Sequence, residues 1–196
     1  QAHAGTVSAE VVLAGGAVAQ LAFQSKWSLA EGGYYDVEAN DRDGDAAYLQ
    51  LIAPPKGAAL GALPATALAS SILGVDGRFG AYGAPNSIKV LSDSTVGAMR
   101  RLDLSFVALS PQSEFPRRVT VAALQPQAGG DVVCLVSGGS EKRWRKSGVE
   151  AEAKAQAASF RLVSVKPTSL TQAASSDYRF GKTSGPSSMR SRNDGF

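Results

Sequence analysis

Three aspartates at alternate positions, Asp41, Asp43 and Asp45, form the densest group of potential ligands in the chain. Carboxylates so spaced in a loop can converge on a hard cation such as calcium. The EF-hand arrangement, however, places a glycine at the sixth loop position and a bidentate glutamate at the twelfth. Here Gly44 is fourth and Ile52 twelfth, so Asn40-Asp41-Arg42-Asp43-Gly44-Asp45 predicts a solvated turn rather than a metal centre. Nucleophilic chemistry has even less to work with. His3 is the only histidine and Cys134 the only cysteine, which leaves no base beside a serine or thiol and no four-ligand zinc set. Cys134 sits in the apolar run Val132-Val133-Cys134-Leu135-Val136, so it predicts a buried thiol and excludes an intramolecular disulfide. Gly74, Gly77, Gly80 and Gly83 recur every third residue, but not in an arrangement that aims backbone amides at a phosphate. No catalytic residue, no cofactor and no enzymatic activity are expected.

What remains is charge placed around an aromatic. Glu141-Lys142-Arg143-Trp144-Arg145-Lys146 packs four cations about one tryptophan just before a helix. Cations at a helix start oppose the helix dipole, which asks for a compensating anion or an external partner. Two roles stay open for the segment: Trp144 filling the gap between helix and sheet with solvated charges beside it, or a docking surface.

These residues need elements to hold them. Residues 5–20 are small and apolar, and Gly15-Gly16 interrupts any period, which predicts an irregular N-terminal segment. Short strands are predicted at Ala19–Phe23, Tyr34–Glu38 and Ala46–Ala53, joined as an antiparallel meander. Leu60, Leu63, Leu68 and Ile72 give a helical stripe between Leu60 and Leu73, with Pro64 in its first turn and Gly74 past its end. The period-three glycines predict a long mobile loop. Strands follow at Ser87–Ser92, Arg101–Leu109, Arg117–Gln125 and Asp131–Ser137. Ser147-Gly148-Val149-Glu150 matches a capping box opening a helix that buries Val149, Ala153, Ala157 and Phe160, with Glu150 and Lys154 paired outside. Arg161–Val165 predicts a last strand. Strands and helices on separate stretches make this an α+β domain, an antiparallel β-sheet flanked by helices.

The 196 residues, 44% of them hydrophobic, suit one domain, and a net charge of +3 is too small to favour nucleic acid. No apolar run reaches the roughly 18 residues a membrane-spanning helix needs, so any membrane association is expected to be peripheral. Ala2-His3-Ala4 is an A-x-A triplet of the kind signal peptidases cut after, without the hydrophobic stretch that would precede it; a removed presequence and a chance match both fit. The expected organisation is an N-terminal segment over 1–18, a domain over 19–166, and a basic, Ser/Gly-rich extension over 167–196 that cannot bury enough apolar surface to fold alone.

Three stretches resemble the PsbP family: Ser25-Lys26-Trp27, then Asp131-Val132-Val133-Cys134-Leu135, then Lys142-Arg143-Trp144 leading to Ala158-Ser159-Phe160. Their order and spacing agree with that family over about residues 18–165. The resemblance implies a PsbP-like α/β/α sandwich in the chloroplast thylakoid lumen. It implies a non-catalytic extrinsic subunit of photosystem II that stabilises the oxygen-evolving complex and its retention of calcium and chloride. A PsbP-domain subunit or assembly factor of photosystem I or another thylakoid complex is the alternative. Expected partners are lumenal faces of photosystem membrane subunits and other extrinsic subunits. The expected contact residues are Lys26, Trp27, Lys142, Arg143, Trp144, Arg145 and Lys146, joined by Tyr178, Arg179 and Phe180 from the extension.

Overall fold

A computed structural model of the chain describes residues 5–30, 37–41 and 43–171. Its centre is an antiparallel seven-stranded sheet in the order β3-β4-β5-β9-β8-β7-β6. These strands are Ser28–Leu29 (β3), Glu38–Asn40 (β4), Ala46–Ile52 (β5), Asn86–Val96 (β6), Met99–Leu109 (β7), Glu114–Leu124 (β8) and Val132–Ser140 (β9). Alternation along each strand divides its side chains between two cores, because successive residues point to opposite faces. Tyr48, Val121, Cys134, Val136, Leu102, Leu104 and Phe106 face helix α1, Ala65–Ile72, which buries Leu68, Ala69 and Ile72. Leu49, Ala122, Leu124, Val133 and Leu135 face the other way, toward helix α3, Val149–Ser159, and a second sheet.

That second sheet is where the reading of residues 5–20 fails. The segment forms strand β1, Gly5–Leu13, paired residue for residue with β2, Ala17–Ser25, from Gly5 opposite Ser25 to Leu13 opposite Ala17. Gly15 and Gly16 do not break the structure; they are its hairpin turn, with Gly16 at φ 75°. Val7, Ala9, Val11 and Leu13 turn inward at every second position, and alanine is too small and too poor a strand former to make that alternation visible. The hairpin therefore runs across the boundary expected at residue 18. Strand β10, Arg161–Pro167, pairs with the free side of β2 and completes the order β1-β2-β10. The first strand of the expected meander belongs to this small sheet, and the meander itself is β3-β4-β5; residues 34–36 of the second predicted strand lie outside the described residues.

Helix α1 is shorter than its stripe, since Leu60 and Leu63 are buried from a 3-10 turn at Leu60–Ala62 and Pro64 caps the helix. The glycine-rich stretch expected to be mobile is a ladder of turns: the amides of Gly77, Gly80 and Gly83 each donate to the carbonyl three residues back at 3.0 Å. Phe79 anchors it, 5.0 Å from the Phe106 ring, and Arg78 pairs with buried Glu38 at 2.6 Å. A side chain at Gly80 would collide with the Val75 backbone, so glycine is what lets the ladder pack. Cys134 is fully buried as expected, and burial pushes its thiol up to about 12. A thiol reagent such as Ellman's should therefore label Cys134 only in denaturant; rapid labelling of the native protein would contradict this packing.

Candidate docking site

The two tryptophan motifs, more than a hundred residues apart in sequence, meet in space. Trp144, at the end of the one-turn helix α2, Glu141–Trp144, is 2% exposed and packs with Val149 and Ala153 of α3. Half-buried Trp27 lies against the same cluster. Trp144 thus takes the gap-filling role, with the Arg118 guanidinium 5.8 Å from its ring centroid. Neither the expected capping box nor a Ser147 cap forms: the helix starts one residue later, at Gly148 with φ 72°, which reaches the left-handed region a serine would enter only at a cost. The inward face of α3 and the Glu150–Lys154 pair at 2.6 Å are as predicted.

Beneath the tryptophans lies a polar network that the sequence reading missed. Gln156 of α3 is fully buried, donates to Ser25 Oγ at 2.9 Å and to Glu152 Oε1 at 3.1 Å, and accepts from the Ser137 hydroxyl. Ser25 in turn accepts from the Trp27 amide at 3.0 Å, and the Lys26 amide donates to Glu152 at 2.7 Å. The Ser25-Lys26-Trp27 turn is therefore clamped to α3 and β9 by side chains that each satisfy a group buried away from water. A glutamine in a helix carries no local signal that it is buried; only its partners reveal it.

The cations separate into two sets. Lys26, Lys142, Arg145 and Lys146 are exposed around the tryptophan cluster. Lys26 makes only a loose 3.9 Å approach to Glu152. Arg143, expected among the docking cations, is instead turned to the acidic loop. Its guanidinium lies 3.2 Å from Asp41, 2.5 Å from Asp43 and 3.0 Å from Asp45. The anion that the sequence demanded for this basic turn is thus supplied from within the chain. The loop itself is shaped by Asp41, whose Oδ1 accepts from the Asp43 and Asp45 amides at 2.9 and 3.0 Å. Gly44 takes the turn at φ 81°. Asp45 is buried against Gly139, where any side chain on the glycine would strike the carboxylate. Burial first, and the neighbouring Asp41 second, push Asp45 up to about 6. Among the described residues no group of three or more His, Cys, Asp or Glu could hold a metal ion. Tyr178, Arg179 and Phe180 lie outside the described residues, as does His3.

An antiparallel sheet with helices on both faces makes a PsbP-like α+β fold. It is similar to a solved structure of cyanobacterial PsbP (CyanoP) from Synechocystis sp. PCC 6803, with a TM-score of 0.52 over 83% of this chain and 94% of that one. Sequence identity is 14%, so the likeness is one of fold. No family model matches the chain, and no curated protein matches it in sequence. Among the described residues no helix is long and apolar enough to cross a membrane.

Proposed function

We propose that this chain is a non-catalytic extrinsic subunit of a photosynthetic membrane complex, docked on its lumenal side through the basic rim of the tryptophan cluster. The observation that carries the reading is the convergence of Ser25-Lys26-Trp27 and Lys142-Arg143-Trp144 on one buried cluster, which fixes four exposed cations on a rigid support. Rigid placement matters because exposed charges contribute to docking mainly when their side chains need little ordering on contact. Photosystem II is the partner this reading favours, with stabilisation of the oxygen-evolving complex and retention of calcium and chloride as the role. Trp27 and Trp144 support the surface from below, and Tyr178, Arg179 and Phe180 add a second contact.

Binding by such a rim is electrostatic and screened by salt. Replacing Lys26, Lys142, Arg145 and Lys146 together by glutamine is expected to weaken binding to photosynthetic membranes by about 10- to 30-fold, at roughly 0.5 kcal/mol for each rim charge. Release during washes of rising ionic strength should then occur at lower salt. A variant released at the same salt as the parent would overturn the assignment of the rim. Recovery at one copy per finished photosystem II supports the subunit reading, whereas recovery only with photosystem I or with incomplete assemblies would replace it by the alternative roles.

A further inference from the structure

Arg143 belongs by position to the basic rim, yet it is held away from it by three carboxylates, of which Asp45 alone is buried. Side-chain exposure is 2% for Asp45, against 24% for Asp41 and 64% for Asp43. We propose that the carboxylates of Asp41, Asp43 and Asp45 form a proton-sensitive holder for Arg143, in which a proton on Asp45 weakens the grip and shifts the guanidinium toward the exposed cations of the docking rim. The inference rests on the docking reading for its purpose, but the holder itself is a property of the isolated chain.

The geometry sets the terms. Within its own loop Asp45 faces Asp41, while Asp43 shares the Arg143 guanidinium; α2 presents Arg143, β8 presents Arg117, and β9 presents the Ser140 amide and the bare Cα of Gly139. Arg117 is half-buried, with its guanidinium 5.0 Å from the Phe79 ring centroid, a contact independent of Arg143. Arg143 stands 3.0 Å from the Asp45 carboxylate, and the Arg117 guanidinium also holds the Asp45 value down; since linkage is reciprocal, whatever share Arg143 contributes to keeping Asp45 charged, protonation of Asp45 takes from the holding of Arg143. The titration of Asp45 near 6 places that exchange in a mildly acidic range. Two effects of the proton must be kept apart. It favours the burial of Asp45, whose charged form is poorly solvated, while it loosens Arg143, which loses its most enclosed counter-charge.

The test follows the side-chain carboxyl carbons of the isolated protein by NMR as pH is varied, in the parent and in Arg143→Gln and Arg143→Lys. Asp45 is expected to titrate near 6 in the parent and about one unit higher in Arg143→Gln, a tenfold coupling, with Arg143→Lys in between. Exchange of the Arg143 Nη protons, which face the carboxylates, corrected for its intrinsic pH dependence, should be about tenfold less protected in Asp45→Asn than in the parent at neutral pH. An Asp45 midpoint unmoved by both Arg143 variants, or equal Nη protection in Asp45→Asn and the parent, would overturn the proposal. Since no partner is present in these measurements, failure of the rim variants on membranes leaves their outcome untouched, and the reverse holds too.

Discussion

Gln156→Leu is expected to be among the most destabilising single substitutions in the protein, lowering stability by about 4 kcal/mol and the melting temperature by roughly 10 °C. Leucine matches the volume of glutamine, so the loss would come from polarity rather than from a cavity. It removes the donor to Ser25 and Glu152 and the acceptor of the Ser137 hydroxyl at once. Ser25, Ser137 and Glu152 are themselves buried, at 3%, 0% and 7% exposure, and water cannot replace what is lost. A buried polar group without a partner costs about 1–3 kcal/mol, and a charged one more. Because Ser25 also fixes the Trp27 amide, near-ultraviolet circular dichroism of the tryptophans should weaken before the secondary structure melts. A loss below about 1 kcal/mol would show that the network is not a unit.

Arg100→Met should lower stability by about 3 kcal/mol, read as a fall in the urea midpoint. Arg100 is 7% exposed on β7 and divides its donors between two tasks. Its Nη1 donates to the carbonyls of Leu60 and Leu63 at 2.9 and 2.5 Å, satisfying the 3-10 turn that leads into α1. Nε and Nη2 form a fork on Asp93 of the edge strand β6 at 2.9 and 2.7 Å. Methionine keeps the apolar stem but takes the guanidinium donor from both carbonyls, leaving Leu60 with only the 3.4 Å bond from the Leu63 amide. Lysine would rescue little, because a single ammonium cannot serve a carboxylate and two carbonyls on different sides. The same fork holds the Asp93 carboxyl below its usual range. Its contribution is present above the ordinary aspartate value of 3.8 and fades as pH falls through the lowered folded value, so Arg100→Met should also lose part of its parent's acid sensitivity.

Asp45 acts with the opposite sign. Its folded value near 6 lies above the unfolded 3.8, so its favourable contribution is complete below 3.8 and is lost as pH rises through 6. Asp45→Asn should flatten the pH dependence of stability across that window, measured as melting temperature against pH. A profile that keeps the parent's slope between 4 and 6 would assign that slope to other groups.

The strands from β7 to β9 were legible because Leu102, Leu104 and Phe106, or Val119 and Val121, alternate with polar or small residues at a period that only a strand satisfies. The face of α3 was legible for the same reason at the helical period. The β1–β2 hairpin was hidden by alanine and glycine, whose alternation has little contrast in polarity. The fate of Arg143 was hidden differently. Nothing near residue 143 states that its partners sit 98 to 102 positions earlier, since the pairing is created by β5 lying beside β9. The two tryptophan motifs meet in one cluster, and their cations are sorted only by burial: Lys26, Lys142, Arg145 and Lys146 outward, Arg143 inward, Trp144 beneath.

The small sheet has a consequence for how the chain folds. Its middle strand, β2, pairs on one side with its immediate neighbour and on the other with β10, where Ala22 meets Arg161. The first pairing closes a three-residue turn and can form locally; the second must close a loop of nearly the whole domain. Contacts of such sequence separation slow folding, because the entropy of closure is lost before the contact compensates for it. Until the last strand arrives, β2 carries an open edge whose backbone groups from Ala17 to Ala22 lack their β10 partners, a template for pairing with another chain. The domain is thus completed from its far end, and a chain truncated before Arg161 would keep its large sheet while gaining a site for aggregation.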